Sequence, residues 1–217
     1  MDVPALASFD SSDWKTILTA FQNGPSLPLG QAWRENPEET FRPGLVHLGW
    51  NTEGLLVLAR LTDDTLFTQA TADNENLWML GDVFELFLQE STLENYVEFH
   101  IAPSGHRLQL TFPSGDTITQ LRTSGKKLDD LKVARPLFDL AVRSTDLGWD
   151  ILAKIPASAL GMTQPMGDGT TIRASFSRYD YTDAATPPVL SSTSAHAELN
   201  FHRRQEWKPL TLRPTLG

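Results

Sequence analysis

The chain has 217 residues, 40% hydrophobic and 21% charged, which is enough to bury a substantial core and too apolar for disorder. A formal net charge of −9 repels phosphate backbones and anionic membranes, and the short basic pairs Lys126-Lys127 and Arg203-Arg204 make no basic face. No cysteine is present, which excludes disulfides, thiol nucleophiles and thiolate metal sites, and no apolar stretch approaches the ~18 residues that span a bilayer. Met1-Asp2-Val3-Pro4 lacks the basic and apolar regions of a signal peptide, so the expectation is a soluble, cytoplasmic protein.

In chain order, Asp10-Ser11-Ser12-Asp13 offers N-cap side chains ahead of Trp14, Ile17, Leu18 and Phe21, spaced for one helical face. This predicts a short helix closed by Asn23-Gly24-Pro25, followed by an irregular entry segment over 28–43. Two apolar runs, 46–50 and 55–61, flank Asn51-Thr52-Glu53-Gly54 and predict a hairpin. Further strands are expected over 83–88, 96–102, 107–112, 117–122, 137–144, 149–155, 171–179 and 207–212. Turn residues separate several of them: Pro103-Ser104-Gly105, Pro113-Ser114-Gly115-Asp116 and Asp146-Leu147-Gly148. About ten short strands with no strand–helix alternation predict an all-β, antiparallel sandwich with a short N-terminal helix. With no repeat and no linker, the chain reads as one domain over 1–217 with its core at about 45–213.

The densest chemistry lies in 73–88, where an amide- and acid-rich loop leads through Trp78 into a strand. In that strand Val83, Glu85 and Phe87 share one face, while Phe84, Leu86 and Leu88 share the other. Glu85 thus stands among apolar neighbours, where a carboxylate must be hydrogen-bonded. It is either an acceptor for ligand hydroxyls or a structural residue tied to backbone or an arginine. Trp78 is either core or ligand platform. Tyr96, Glu98 and His100 alternate with Val97, Phe99 and Ile101, which predicts a half-polar face. The five histidines, at 47, 100, 106, 196 and 202, show neither His-x-x-x-His spacing nor a facial triad, so catalytic zinc or iron is not expected.

An ordered set of landmarks runs through most of the chain. It begins with Leu77-Trp78-x-x-Gly81-Asp82-x-x-Glu85-x-Phe87-Leu88 and Tyr96-x-Glu98-Phe99-x-x-x-Pro103-x-Gly105. It continues with Gly148-Trp149, Ile155-Pro156, Arg173, Arg178, Ser191-Ser192, Asn200-Phe201-His202 and Leu210-x-Leu212. This pattern resembles the family 9 carbohydrate-binding modules and their DOMON-like kin. The resemblance implies a β-sandwich that binds a mono- or oligosaccharide without cutting it, serving carbohydrate catabolism through a partner glycosidase. In such modules two Trp rings clamp a sugar while a Glu and an Arg hold its hydroxyls. Carried over, Trp78 matches the first ring and Glu85 the carboxylate, whereas His100 stands where the Arg is expected. The second ring would fall near 191–202, where this chain has Ser192-Thr193-Ser194, leaving Phe201 or Trp207 as substitutes. The implied ligand-binding set is Trp78, Glu85, His100, Arg178, Asn200 and Phe201, with no catalytic residue. His202 matches a landmark, either as a packed histidine that orients a turn or as a ligand contact. Some relatives carry structural calcium, for which Asp63-Asp64 and the 73–75 loop offer oxygens.

Three other readings stay open on the sequence. Glu85 and Glu98, on adjacent predicted strands, could form a glycosidase pair, which needs two carboxyls ~5–10 Å apart. Met79 and His100 could be haem ligands. The fold could also be an interaction domain whose sugar face has decayed.

Overall fold

The computed structural model describes residues 1–125 and 127–214, so Lys126 of the first basic pair lies outside the described residues. Alternating strands each offer one face to a core, and here two sheets stack so that those faces meet. The strands are β1 (Asp2–Pro4), β2 (Ser26–Pro28), β3 (Gly44–Asn51), β4 (Gly54–Thr62), β5 (Val83–Glu90) and β6 (Tyr96–Ile101). They continue with β7 (Arg107–Phe112), β8 (Asp139–Thr145), β9 (Gly148–Ile155), β10 (Thr171–Asp180), β11 (Val189–Ser192) and β12 (Lys208–Arg213). One sheet has the order β1-β12-β10-β5-β6-β7, with β11 also paired to β10; the other runs β2-β3-β4-β9-β8. Every pairing is antiparallel except β1 with β12. The architecture is therefore the antiparallel sandwich expected from the sequence.

Between the sheets, Phe84, Leu86 and Leu88 of β5 meet Val97, Phe99 and Ile101 of β6 and the residues Val57, Trp149 and Ile151 of the facing sheet. Phe84 stacks on Phe176 with ring centroids 6.1 Å apart. Each such ring contributes about 1.5–3 kcal/mol by leaving water. The core also takes Val3, Leu27 and Leu29, so residues ahead of 45 belong to it. The β3–β4 hairpin turns at Gly54, whose φ of +139° suits glycine and whose added Cβ would lie 2.0 Å from the Ile155 carbonyl oxygen.

The predicted helix is α1 (Trp14–Ala20), capped by Asp13, which accepts a hydrogen bond from the Lys15 N–H. Ile17 and Phe21 pack it onto Leu56, Leu58 and Leu152 on the outside of the five-stranded sheet. The strand expected over 117–122 is instead a helix, α2 (Thr117–Thr123). Its β-branched Thr117, Ile118 and Thr119 favour a strand locally, but Ile118 and Leu121, three apart, both reach the apolar cluster on the outer face of the larger sheet. Short strands β1, β2 and β11 went unread because each is three or four residues long. No helix among the described residues is long and apolar enough to cross a membrane.

Candidate functional site

The outer face of the larger sheet carries the residues of opposite parity to the core. Register places Ser177, Glu85, His100 and Leu108 in one cross-strand row, and Ser175, Phe87, Glu98 and Leu110 in the next. Two carboxylates and an imidazole are thereby set among apolar side chains. This row structure is the floor of a cavity of about 530 Å³, within the range of small-molecule sites. Its walls come from Trp78, from Ile118 and Arg122 of α2, from Tyr179 of β10 and from the 198–202 segment.

Trp78 lies in a 3-10 turn, Leu77–Met79, just ahead of β5. The turn is fixed by its backbone: Met79 N–H donates to Asn76, Leu80 N–H donates to Leu77, and the Tyr181 hydroxyl donates to the Trp78 carbonyl at 2.7 Å. Gly81-Asp82 explains why the loop meets the strand as it does. Gly81 has φ +137° and passes so close to Phe67 that a Cβ would lie 2.3 Å from its carbonyl oxygen. The buried Asp82 carboxylate accepts from the backbone N–H groups of Phe67 and Tyr181 at 2.6 and 2.7 Å. The indole of Trp78 meets His100 edge-on, with centroids 5.4 Å apart.

His100 is enclosed by carboxylates. Its Nε2 lies 2.6 Å from Glu98 Oε1, and its Nδ1 lies 3.3 Å from Glu85 Oε1 without the alignment of a hydrogen bond. All three side chains are almost wholly buried. Burial opposes a charge on His100, but Glu85 and Glu98 outweigh it and hold the imidazole above its ordinary range. Burial pushes Glu85 up to about 8, with Glu98 adding to the rise. Burial works against Glu98 too, yet His202 and the His100 hydrogen bond keep it below its usual value. His202 pairs through Nδ1 with the Tyr96 hydroxyl at 3.2 Å, and burial pushes its own value down.

Of the residues implied by the resemblance, Trp78, Glu85, His100, Asn200 and Phe201 all line this one cavity. Asn200 Oδ1 accepts from the His202 N–H, and the Phe201 carbonyl accepts from the indole N–H of Trp207. Trp207 itself is buried against Phe87 and Tyr96 and does not line the cavity. Arg178 is not at the site either. It sits on the inner face of β10, wholly buried, donating to the Thr62 carbonyl at 2.6 Å and to Asp63 at 2.7 Å, with Asp180 at 3.2 Å. Sequence reasoning passed over Tyr179, Ile118, Leu128 and Leu199 as lining residues; parity along β10 and a helical reading of 117–123 would have pointed to the first two.

Met79 is 67% exposed and away from the cavity, and both nitrogens of His100 face carboxylates, so the two do not form a haem ligand pair. Glu85 and Glu98 share an imidazole between them instead of facing each other across a gap. Two groups of side chains, Glu85–Glu98–His100 and Asp63–Asp82–Asp180, have donor atoms close enough together to hold a metal ion. Asp63 of the expected calcium donors belongs to the second group. Asp64 turns to Arg42, Asp73 accepts from the Arg107 N–H, and Glu75 accepts from Thr71 and Ala72.

No protein-family model matches the chain, and no curated protein does. Solved structures do match along its whole length. A Bacteroides uniformis protein provisionally named as carbohydrate-binding superposes with a TM-score of 0.73 at 14% identity, covering 98% of both chains. A family 9 carbohydrate-binding module from Caldicellulosiruptor kristjanssonii in complex with cellotriose gives 0.67 at 14% identity, over 100% of this chain and 94% of the other. The glucose complex of a family 9 module from that organism gives 0.65 at 12% identity, over 100% and 96%. Such identities speak to architecture alone, and on that evidence the chain has the fold of the family 9 carbohydrate-binding modules.

Proposed function

We propose that the chain is a non-catalytic, single-domain carbohydrate-binding module that holds a mono- or oligosaccharide on Trp78, above the polar floor of Glu85, Glu98 and His100. The observation that carries this reading is the pairing of an aromatic wall with buried hydrogen-bonding groups in one open cavity. A pyranose offers a C–H face to the ring and hydroxyls to the floor, so both of its surfaces find a partner. The fold shared with modules solved with cellotriose and glucose supports it. A link to carbohydrate catabolism through a partner glycosidase belongs to the same proposal. Titration with a panel of mono- and oligosaccharides is expected to quench Trp fluorescence saturably, and Trp78→Ala to weaken binding about tenfold or more. A wild-type protein indifferent to every sugar at millimolar concentration would count against the reading.

A second proposal concerns calcium at Asp63, Asp82 and Asp180. Arg178 pairs with Asp63 and Asp180 but not with Asp82, and the donor atoms of all three are carboxyl oxygens. A cleft lined by Asp63, Asp64, Thr65 and Asp180 gives an ion a way in. Millimolar calcium is expected to raise the unfolding midpoint over that in EDTA, and to do so less in Asp180→Asn. Identical midpoints in calcium and EDTA would leave Arg178 as the only cation of the group.

A further inference from the structure

The floor of the cavity is short of positive charge. Among the described residues, six ionisable side chains other than tyrosine line it: Glu85 from β5, Glu98 and His100 from β6, Arg122 from α2, and Glu198 and His202 from the 198–202 segment. Arg122 is exposed, and Glu198 is engaged by Arg203 at 2.6 Å. Burial pushes His202 below its ordinary value. What remains at the bottom is two buried carboxyl groups with one imidazole between them.

The geometry shows where the deficit falls. Glu98 uses Oε1 for His100, while its Oε2 is buried with no hydrogen-bond partner; the nearest donor, His202 Nε2, stands 3.7 Å away. A buried carboxylate oxygen left in this way is costly. Glu85 is in the same position by another route, since its contact to His100 is misaligned and burial pushes it up to about 8, so that it retains a proton in place of a cation. Tyr179, whose hydroxyl burial and these same carboxylates keep neutral, adds no charge. A neutral sugar would bring hydroxyl protons to Glu98 but no charge. An ammonium brings three N–H donors and a positive charge, and the aromatic rings of Trp78, Tyr179 and Phe87 line the same cavity.

We propose that the cavity takes a sugar bearing a primary amine, a hexosamine, with its ring on Trp78 and its ammonium directed to Glu98 and Glu85. The inference rests on the carbohydrate-binding reading and names the class of ligand. It is tested by calorimetric titration at pH 7 with D-glucosamine, D-glucose and N-acetyl-D-glucosamine, which share a ring and differ in charge and bulk at one carbon. Glucosamine is expected to bind about tenfold or more tighter than either neutral sugar. Glu98→Gln, which keeps the shape and removes the charge, brings that ratio toward one. Should the variant fail to fold, the three-sugar comparison on the wild type still decides. Glucose or the acetylated sugar binding as tightly as glucosamine overturns the inference and leaves carbohydrate binding intact. No binding by any of the three, nor by the wider sugar panel, overturns both.

Discussion

Arg178→Ala is expected to cost about 3–5 kcal/mol of folding stability, the loss seen when one partner of a buried ion pair is removed. The side chain is wholly buried, and its guanidinium binds the Thr62 carbonyl, Asp63 and Asp180. Without it, Asp63 and Asp180 lose their guanidinium beside the buried Asp82. For a domain of this size such a loss lowers the melting midpoint by roughly 6–20 °C. The pH dependence has a definite sign. Burial already raises Asp82 to about 7 and Asp180 to about 6. Carboxyls raised in this way stabilise the fold fully below their unfolded value and lose that contribution as pH rises through 6 and 7. The damage from Arg178→Ala should therefore be larger at pH 8 than at pH 5. Urea denaturation in EDTA at both values measures it, and Arg178→Lys should recover part of the loss. A variant within about 1 kcal/mol of wild type at pH 8 would show that Arg178 and its acids add little to the stability of the fold.

His100→Ala is the second large effect, of similar size, and it bears on the site itself. Removing the imidazole leaves Glu85 and Glu98 buried without the cation between them. In the wild type, His100 is raised and so contributes stability below its unfolded value that fades as pH climbs through the folded one. Glu85, at about 8, loses its contribution in the same direction. The variant lacks that contribution at every pH, so the gap from wild type should be widest at pH 5 and shrink toward pH 8. His100→Arg returns a cation to the same place and should narrow it. Denaturation curves for the three proteins at the two pH values are the measurement; a gap that does not change with pH would mean the triad carries no net charge interaction.

Much of this was legible in the sequence, and the exceptions have physical causes. Alternation in 83–88 and 96–101 separated core from outer face correctly, so Glu85 and His100 fell on one side together. The same rule applied to 171–179 puts Ile172, Ala174, Phe176 and Arg178 on one face, and three of those four are core residues. Arg178 therefore had the parity of the interior, and only its likeness to a family landmark argued otherwise. What no pattern could show was its partners, since Asp63 lies 115 positions away. The helix at 117–123 was hidden because its residues have strand propensity and its apolar pair takes meaning only from the cluster it covers. The 198–202 segment reached the cavity as landmarks without geometry: it is loop, and loops carry no period from which a direction can be read.

The first residues of the chain join the two sheets. Pro4 ends β1 beside Arg213 of β12, Ala5 N–H donates to the Arg213 carbonyl, and Leu6 N–H donates to the Trp50 carbonyl in the other sheet. Because β1 and β12 run parallel, a tension applied between Met1 and Arg213 would slide one strand lengthwise along the other. The bonds from Met1 to Pro209, Thr211 to Met1 and Ala5 to Arg213 would then bear the load together instead of opening one after another. The arrangement has the geometry of a shear clamp.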